Sequence, residues 1–172
     1  LLAAATAAAA LGLSVDQIAA AASNLEAGQR RGRVHQLGNA ISVVDDSYNA
    51  SPVAMTRLLE LLSSAPGRRV AVLGEMYELG EQTAAAHRKV GQLAAASCDL
   101  LVATGGEGAV ELAAAARAEG MDPGTVHHVS DAEAAVRLLN TVLQSDDVVL
   151  IKGSRGVGLD RAVDALLGWE AT

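Results

Sequence analysis

The sequence predicts an open α/β sheet of six strands, mostly parallel, with helices on both faces and an antiparallel hairpin at its start. Three observations carry that prediction. From about residue 70 onward, short β-branched runs alternate with segments of helical period, the pattern of parallel strands covered by helices. Hydrophobic residues make up 51% of the 172 and charged residues 19%, which suits one full core and is too apolar for a disordered chain. Aromatic residues are only 2%, with no Phe, so the packing falls to Ala, Leu and Val.

Residues 1 to about 27 read as helical and Ala-rich. Ser14 stands three residues before Gln17, the spacing of a capping box, and Val15, Ile18, Ala19 and Ala22 then share one helical face. The chain opens at Leu1 in the middle of a helical pattern, so we expect it to be part of a longer protein, with one domain ending at residue 27 and the next spanning 28–172. The segment Gly28–Arg33 is polar, and its composition is that of a linker. Val34–Leu37 and Ile41–Asp45 then read as two strands joined by a tight turn at Gly38–Asn39.

Beyond the polar loop after Asp46, Ser51 and Pro52 open a helix, Ser as N-cap and Pro in the first turn, with an apolar stripe of Met55, Leu58, Leu59 and Leu62. Further strands are expected at Val70–Leu73, Leu100–Ala103, Val126–Val129 and Val148–Ile151. Helices are expected at about 83–97, 107–119, 131–143 and 158–167. Ser130, Asp131 and Glu133 make a good start for the third of these. Trp169 reads as a packing anchor or a tail residue.

Composition also excludes. A net charge of −7 and the lack of stacking aromatics argue against a nucleic-acid partner. Cys98 is the only cysteine, so neither a disulfide framework nor a cysteine zinc site is available, and a reducing cytoplasmic setting fits. The apolar stretch Leu1–Leu13 is too short for a membrane span and lacks the basic start of a signal peptide. His127 and His128 are neighbours on a strand and face opposite ways, so they do not share a metal. His35 is isolated, and no metal site or catalytic triad emerges.

Ligands of such sheets bind outside the carboxyl ends of the strands. The loop Asp45–Pro52 there carries more hydrogen-bonding groups than capping needs. A carboxylate there, Asp45 or Asp46, could take a ribose diol or a cation, and Tyr48 and Asn49 a small polar substrate. Lys152-Gly153-Ser154-Arg155-Gly156 follows a buried strand and suits an anion, or is an ordinary Gly-rich turn. It lacks the spacing of a nucleotide P-loop. Glu75 and Glu78, in Gly74–Gly80, read more simply as solvated carboxylates than as ligands of a cation. Thr104–Gly108 reads as a tight strand-to-helix turn.

Three blocks resemble motifs of the Mur ligase family of peptidoglycan ligases, in the branch that adds D-alanyl-D-alanine. They are Asp45-Asp46-Ser47-Tyr48-Asn49-Ala50-Ser51-Pro52; Val72–Gly80 with His87-Arg88; and Lys152-Gly153-Ser154-Arg155-Gly156. The resemblance covers essentially the whole chain as the family's C-terminal domain, with residues 1–27 as the helical end of the central domain. It implies an ATP-dependent ligase that joins D-Ala-D-Ala to a UDP-MurNAc-tripeptide through an acyl phosphate. ATP and Mg2+ would be held mainly by a central domain lying outside this chain, which alone would be inactive and contribute no catalytic residue. It also implies nucleotide contacts at Arg33, Asp46, Ser47 and Ser154, with Arg31 as an alternative to Arg33. Substrate contacts would be Tyr48, Asn49, Ser51, Lys152 and Arg155. A monomer is expected. Ser51, Glu75 and Tyr77 depart from the family pattern. Two other readings stand beside this one: a sister ligase adding a single amino acid, and a nucleotide- or anion-binding module without catalysis.

Overall fold

The computed structural model describes residues 2–24 and 28–168, so Trp169 and its expected role lie outside the described residues. Two helices come first, α1 (Leu2–Ala10) and α2 (Val15–Ser23), rather than one continuous helical run. Ser14 closes the capping box with Gln17 as expected, and neither helix has a buried residue.

The hairpin β1 (Arg33–Gln36) and β2 (Ser42–Asp46) is antiparallel. Its loop is longer than the expected two-residue turn. Leu37 and Ile41 still hydrogen-bond across it, and Gly38-Asn39-Ala40 form a short 3-10 turn in which Asn39 and Ala40 both have positive φ. A side-chain amide makes that conformation accessible to Asn.

The alternating region matches its expected boundaries within two residues. In order come α3 (Pro52–Ser63), β3 (Arg69–Gly74), α4 (Thr83–Ser97), β4 (Leu100–Thr104), α5 (Glu107–Ala118), β5 (Val126–Val129), α6 (Ala132–Val142), β6 (Val148–Lys152) and α7 (Asp160–Leu167). Strand order across the sheet is β1-β2-β6-β3-β4-β5, parallel throughout except for β1.

Strand alternation divides the core in two. Ala71, Leu73, Leu101, Ala103 and Leu150 face α3, α4 and α5, whereas Val70, Val72, Leu100, Val102, Val149 and Ile151 face α6 and α7. Each fully buried Leu or Met, such as Met55 and Leu59 of α3, contributes roughly 2 kcal/mol by leaving water. With no Phe to fill space, the helices approach closely. Gly91 of α4 lies directly against the Leu112 carbonyl of α5.

Ion pairs tie the amino ends of neighbouring strands to one another. Arg68 grips the fully buried Asp147 with two bonds of 2.8 and 2.7 Å, and Arg69 grips Asp99 at 2.9 and 2.7 Å. Hydrogen bonding from Arg69 holds the Asp99 carboxyl below its ordinary value. A carboxyl whose value is lower folded than unfolded adds stability above the unfolded value, and that stability is lost as pH falls through the folded one. Asp99→Asn is therefore expected to melt below wild type at neutral pH, with the gap closing in acid; a gap independent of pH would contradict the pairing. Cys98 is buried, donates to the Ala94 carbonyl at 3.2 Å, and has its thiol pushed up to about 12 by burial. It should resist iodoacetamide in the folded chain and react once urea unfolds it.

Candidate functional site

Adjacent strands β2 and β6 send their chains to opposite faces, β2 into α3 and β6 into α7. That divergence opens a crevice beyond their carboxyl ends, where open α/β sheets bind ligands. Three loops meet there: residues 47–51, 75–79 and 153–158. A cavity of about 460 Å³ lies between them, lined by Tyr48, Asn49, Ala50, Ser51, Tyr77, Glu78, Leu79, Ser154, Arg155 and Gly156.

The nine residues singled out from the sequence fall into three groups. Tyr48, Asn49, Ser51, Ser154 and Arg155 line this cavity. Tyr48, Asn49, Ser51 and Arg155 are exposed there, whereas Ser154 is buried, its hydroxyl accepting the Tyr77 amide at 2.9 Å. Ser51 also caps α3 through the Ala54 amide.

Asp46, Ser47 and Lys152 form the frame behind the cavity. Asp46 and Lys152 are paired in register on adjacent parallel strands. The Lys152 ammonium, only 2% exposed, donates to the Asp46 carboxylate and, at 2.8 Å, to the Asn49 carbonyl. It does not stand free at a helix start. Lys152 ends β6, a 3-10 turn at Arg155–Val157 and Gly158 intervene, and α7 begins only at Asp160. Ser47 is likewise buried and turned inward, its hydroxyl donating to Asp45 at 2.6 Å.

Arg33 is apart from both groups. It lines a separate cavity of about 240 Å³ with Gln29, Arg30, His35, Asp45, Asp164 and Leu167. Arg31 does not line that cavity; its guanidinium lies 4.1 Å from the centre of the Tyr48 ring.

The linker is more anchored than its composition suggests. Arg30 takes a positive φ of 58°, donates to both Asp164 oxygens at 2.8 Å and to the Asp160 carbonyl, and has its pKa raised by that bonding to Asp164. Its own carbonyl receives the Tyr48 amide. The linker, the Tyr48 loop and α7 are thereby joined.

Glu75 is not a solvated carboxylate. It accepts the Gly106 and Gly108 amides at 2.8 Å each and so caps α5. Gly106 at the N-cap has no side chain to do this, and that lack of a capping residue before Glu107 is the signal the sequence offered. His87, fully buried, accepts the Met76 amide at 2.9 Å on Nε2 and lies 2.7 Å from the Thr83 carbonyl on Nδ1, which assigns the ring proton to Nδ1. Both residues hold the 75–79 loop in place. Among the described residues no group of three His, Cys, Asp or Glu could hold a metal ion, and no helix is long and apolar enough to cross a membrane.

A model of the Mur ligase glutamate ligase domain matches residues 29–155. The chain is 38% identical to the UDP-N-acetylmuramoyl-tripeptide–D-alanyl-D-alanine ligase of Mycobacterium bovis, over 91% of this chain and 34% of that protein. It is 34% identical to the protein of the same name from Escherichia coli, over 96% and 35%. Among solved structures, MurF ligase from Thermotoga maritima in complex with ADP superposes with a TM-score of 0.74 at 29% identity, over 94% of this chain and 35% of that one. MurF from Acinetobacter baumannii gives 0.81 at 25% identity, over 93% and 35%. The chain thus spans about a third of the length of the curated relatives it matches.

Proposed function

The chain belongs to the Mur ligase family, and on that premise we propose that it is the C-terminal domain of an ATP-dependent ligase joining D-alanyl-D-alanine to a UDP-MurNAc-tripeptide. The observation that carries this reading is the meeting of the Asp46–Ser51 and Lys152–Gly156 loops in one cavity at the ends of β2 and β6. The names of the relatives favour a dipeptide over the single amino acid of a sister ligase. They equally disfavour a binding module without catalysis.

In this reading residues 28–172 form the C-terminal domain and residues 1–27 the helical end of the preceding one, in keeping with the absence of buried side chains in α1 and α2. ATP acts as co-substrate. It phosphorylates the tripeptide carboxylate, the dipeptide amine attacks the acyl phosphate, and amide, ADP and phosphate leave. Mg2+ would be held by residues outside this chain. The cavity wall, with Tyr48, Asn49, Ser51 and Arg155, faces the substrates, and Lys152 holds that wall through Asp46 and the Asn49 carbonyl. Asp46, Ser47 and Ser154 are assigned to the nucleotide side, acting through the backbone they fix, and Arg33 would reach the nucleotide from its separate cavity beside Asp45. Closing this domain over the acyl phosphate would exclude the water that hydrolyses it. The enzyme works as a cytoplasmic monomer.

The test is phosphate release by the chain extended through its native upstream coding sequence, given ATP, Mg2+, UDP-MurNAc-tripeptide and D-Ala-D-Ala. Release that needs all of these, and none from the 172 residues alone, is expected. Equal release with a single amino acid in place of the dipeptide would overturn the dipeptide reading.

A further inference from the structure

Arg30, Arg68, Arg69, Arg88 and Arg161 each pair with a carboxylate. Among the described residues Arg31 and Arg155 do not, nor do Arg33, Arg57, Arg117 and Arg137, but only Arg31 and Arg155 share a partner of another kind. They come from the linker and the β6–α7 loop, and both guanidiniums lie against one ring, Tyr48, at 4.1 and 5.7 Å from its centre. Among the described residues no salt bridge reaches either of them. In a chain of net charge −7, one ring thus gathers two cations, while Glu78, on the lining of the same cavity, bridges to neither.

The ring does for them what a carboxylate would not. Its face attracts and orients a guanidinium without neutralising it, so the donors stay available to a ligand. The ring is 40% exposed and forms the cavity wall together with Arg155. Its backbone is fixed by the bond from the Tyr48 amide to the Arg30 carbonyl, and Arg30 is itself tied to Asp164.

We propose that Arg31 and Arg155 form an anion clamp at the mouth of this cavity, taking a compact oxyanion (a carboxylate or a phosphoryl group), and that Tyr48 is the residue that positions it. The inference rests on the cleft assigned under Proposed function, but it changes what Tyr48 does there: the ring holds two arginines ready and need not touch substrate. Arginine side chains carry much rotamer freedom, and a ring that removes it in advance lowers the cost of closing on an anion.

The test follows the arginine Nε–H signals of the 15N-labelled chain during titration with inorganic phosphate, acetate and D-alanyl-D-alanine, against chloride at matched ionic strength. Arg31 and Arg155 are expected to shift together and saturably with one affinity. Stronger binding of phosphate identifies the anion as phosphoryl, and stronger binding of the dipeptide identifies it as the substrate carboxylate. Tyr48→Phe keeps the ring and should hold affinity within about twofold, whereas Tyr48→Leu should weaken it roughly fivefold at both arginines, the order of one lost cation–π contact. Arg31→Ala and Arg155→Ala, both surface changes, should each weaken it as well. Affinity unchanged in Tyr48→Leu, unequal affinities at the two arginines, or no saturable shift beyond chloride would each overturn the clamp. Turnover plays no part in this readout, so a ligase without a clamp and a clamp without ligase activity give different results.

Discussion

Gly91→Ala is expected to destabilise the fold by about 3 kcal/mol, a fall in melting temperature of roughly 10 °C for a domain of this size. A Cβ at position 91 would lie 2.2 Å from the Leu112 carbonyl oxygen and 3.0 Å from the Ala115 Cβ. The first of these is backbone in the middle of α5, so it cannot swing aside as a side chain would. Relief requires α4 and α5 to move apart, and both bury small residues, Ala94 on one and Ala113 and Ala116 on the other. Gly38→Ala is the matched control. A Cβ there meets nothing within 4 Å, and its change should stay within about 0.5 kcal/mol. Thermal melts of the two variants decide the matter, and equal melting temperatures would mean the helices are not as close as described.

Lys152→Met should cost about as much in stability and far more in activity. The side chain volume stays, but the ammonium that serves Asp46 and the Asn49 carbonyl is gone. Removing one partner of a buried ion pair typically costs about 3 kcal/mol or more, because the remaining charge is left without compensation. The Asp46–Ser51 loop also loses its tether, and a loop displaced by an ångström can cost about a hundredfold in kcat/KM. Unfolding free energy in this chain and kcat/KM in the full-length enzyme are the two readouts. Adding Asp46→Asn to Lys152→Met should cost less than the two changes summed, since neither charge is then stranded. Strict additivity would show that the pair does not act as a unit.

The elements were legible in the sequence for a simple reason. Val70–Leu73 or Val148–Ile151 can be read alone as a strand, and Met55, Leu59 and Leu62 alone as a helical stripe, because periodicity is local. Ser14 and Ser51 announced their helices through capping chemistry, and both cap as expected; at α6 the run Ser130, Asp131, Glu133 marked the start, and the cap itself is Asp131, which also accepts the Ser130 hydroxyl. The strand order was not legible, since nothing in β6 itself says that it lies between β2 and β3.

The same distinction divides the candidate site. Tyr48, Asn49, Ser51 and Arg155 were found where a polar loop leaves a strand, and they do line one cavity. Lys152 looked like a free cation beside a glycine turn, because its partner Asp46 is over a hundred residues away in sequence and meets it only through the sheet register. Glu75 was misjudged, Arg31 was left open, and Arg30 passed as part of a polar linker, for a related cause. Each is defined by a partner on a distant element: the α5 amides, Asp164 and the Tyr48 ring.

The central strand is also the last one to be synthesised. Until residues 148–152 leave the ribosome, the strand that joins β2 to β3 is missing, so any pairing formed by then is confined to β1-β2 and β3-β4-β5 and leaves two hydrogen-bonding edges open. Such edges invite pairing with other chains. The interval between translation of β3 and of β6 is therefore the one in which these edges are open to other chains. Slowing translation there should increase aggregation without altering the stability of the finished fold.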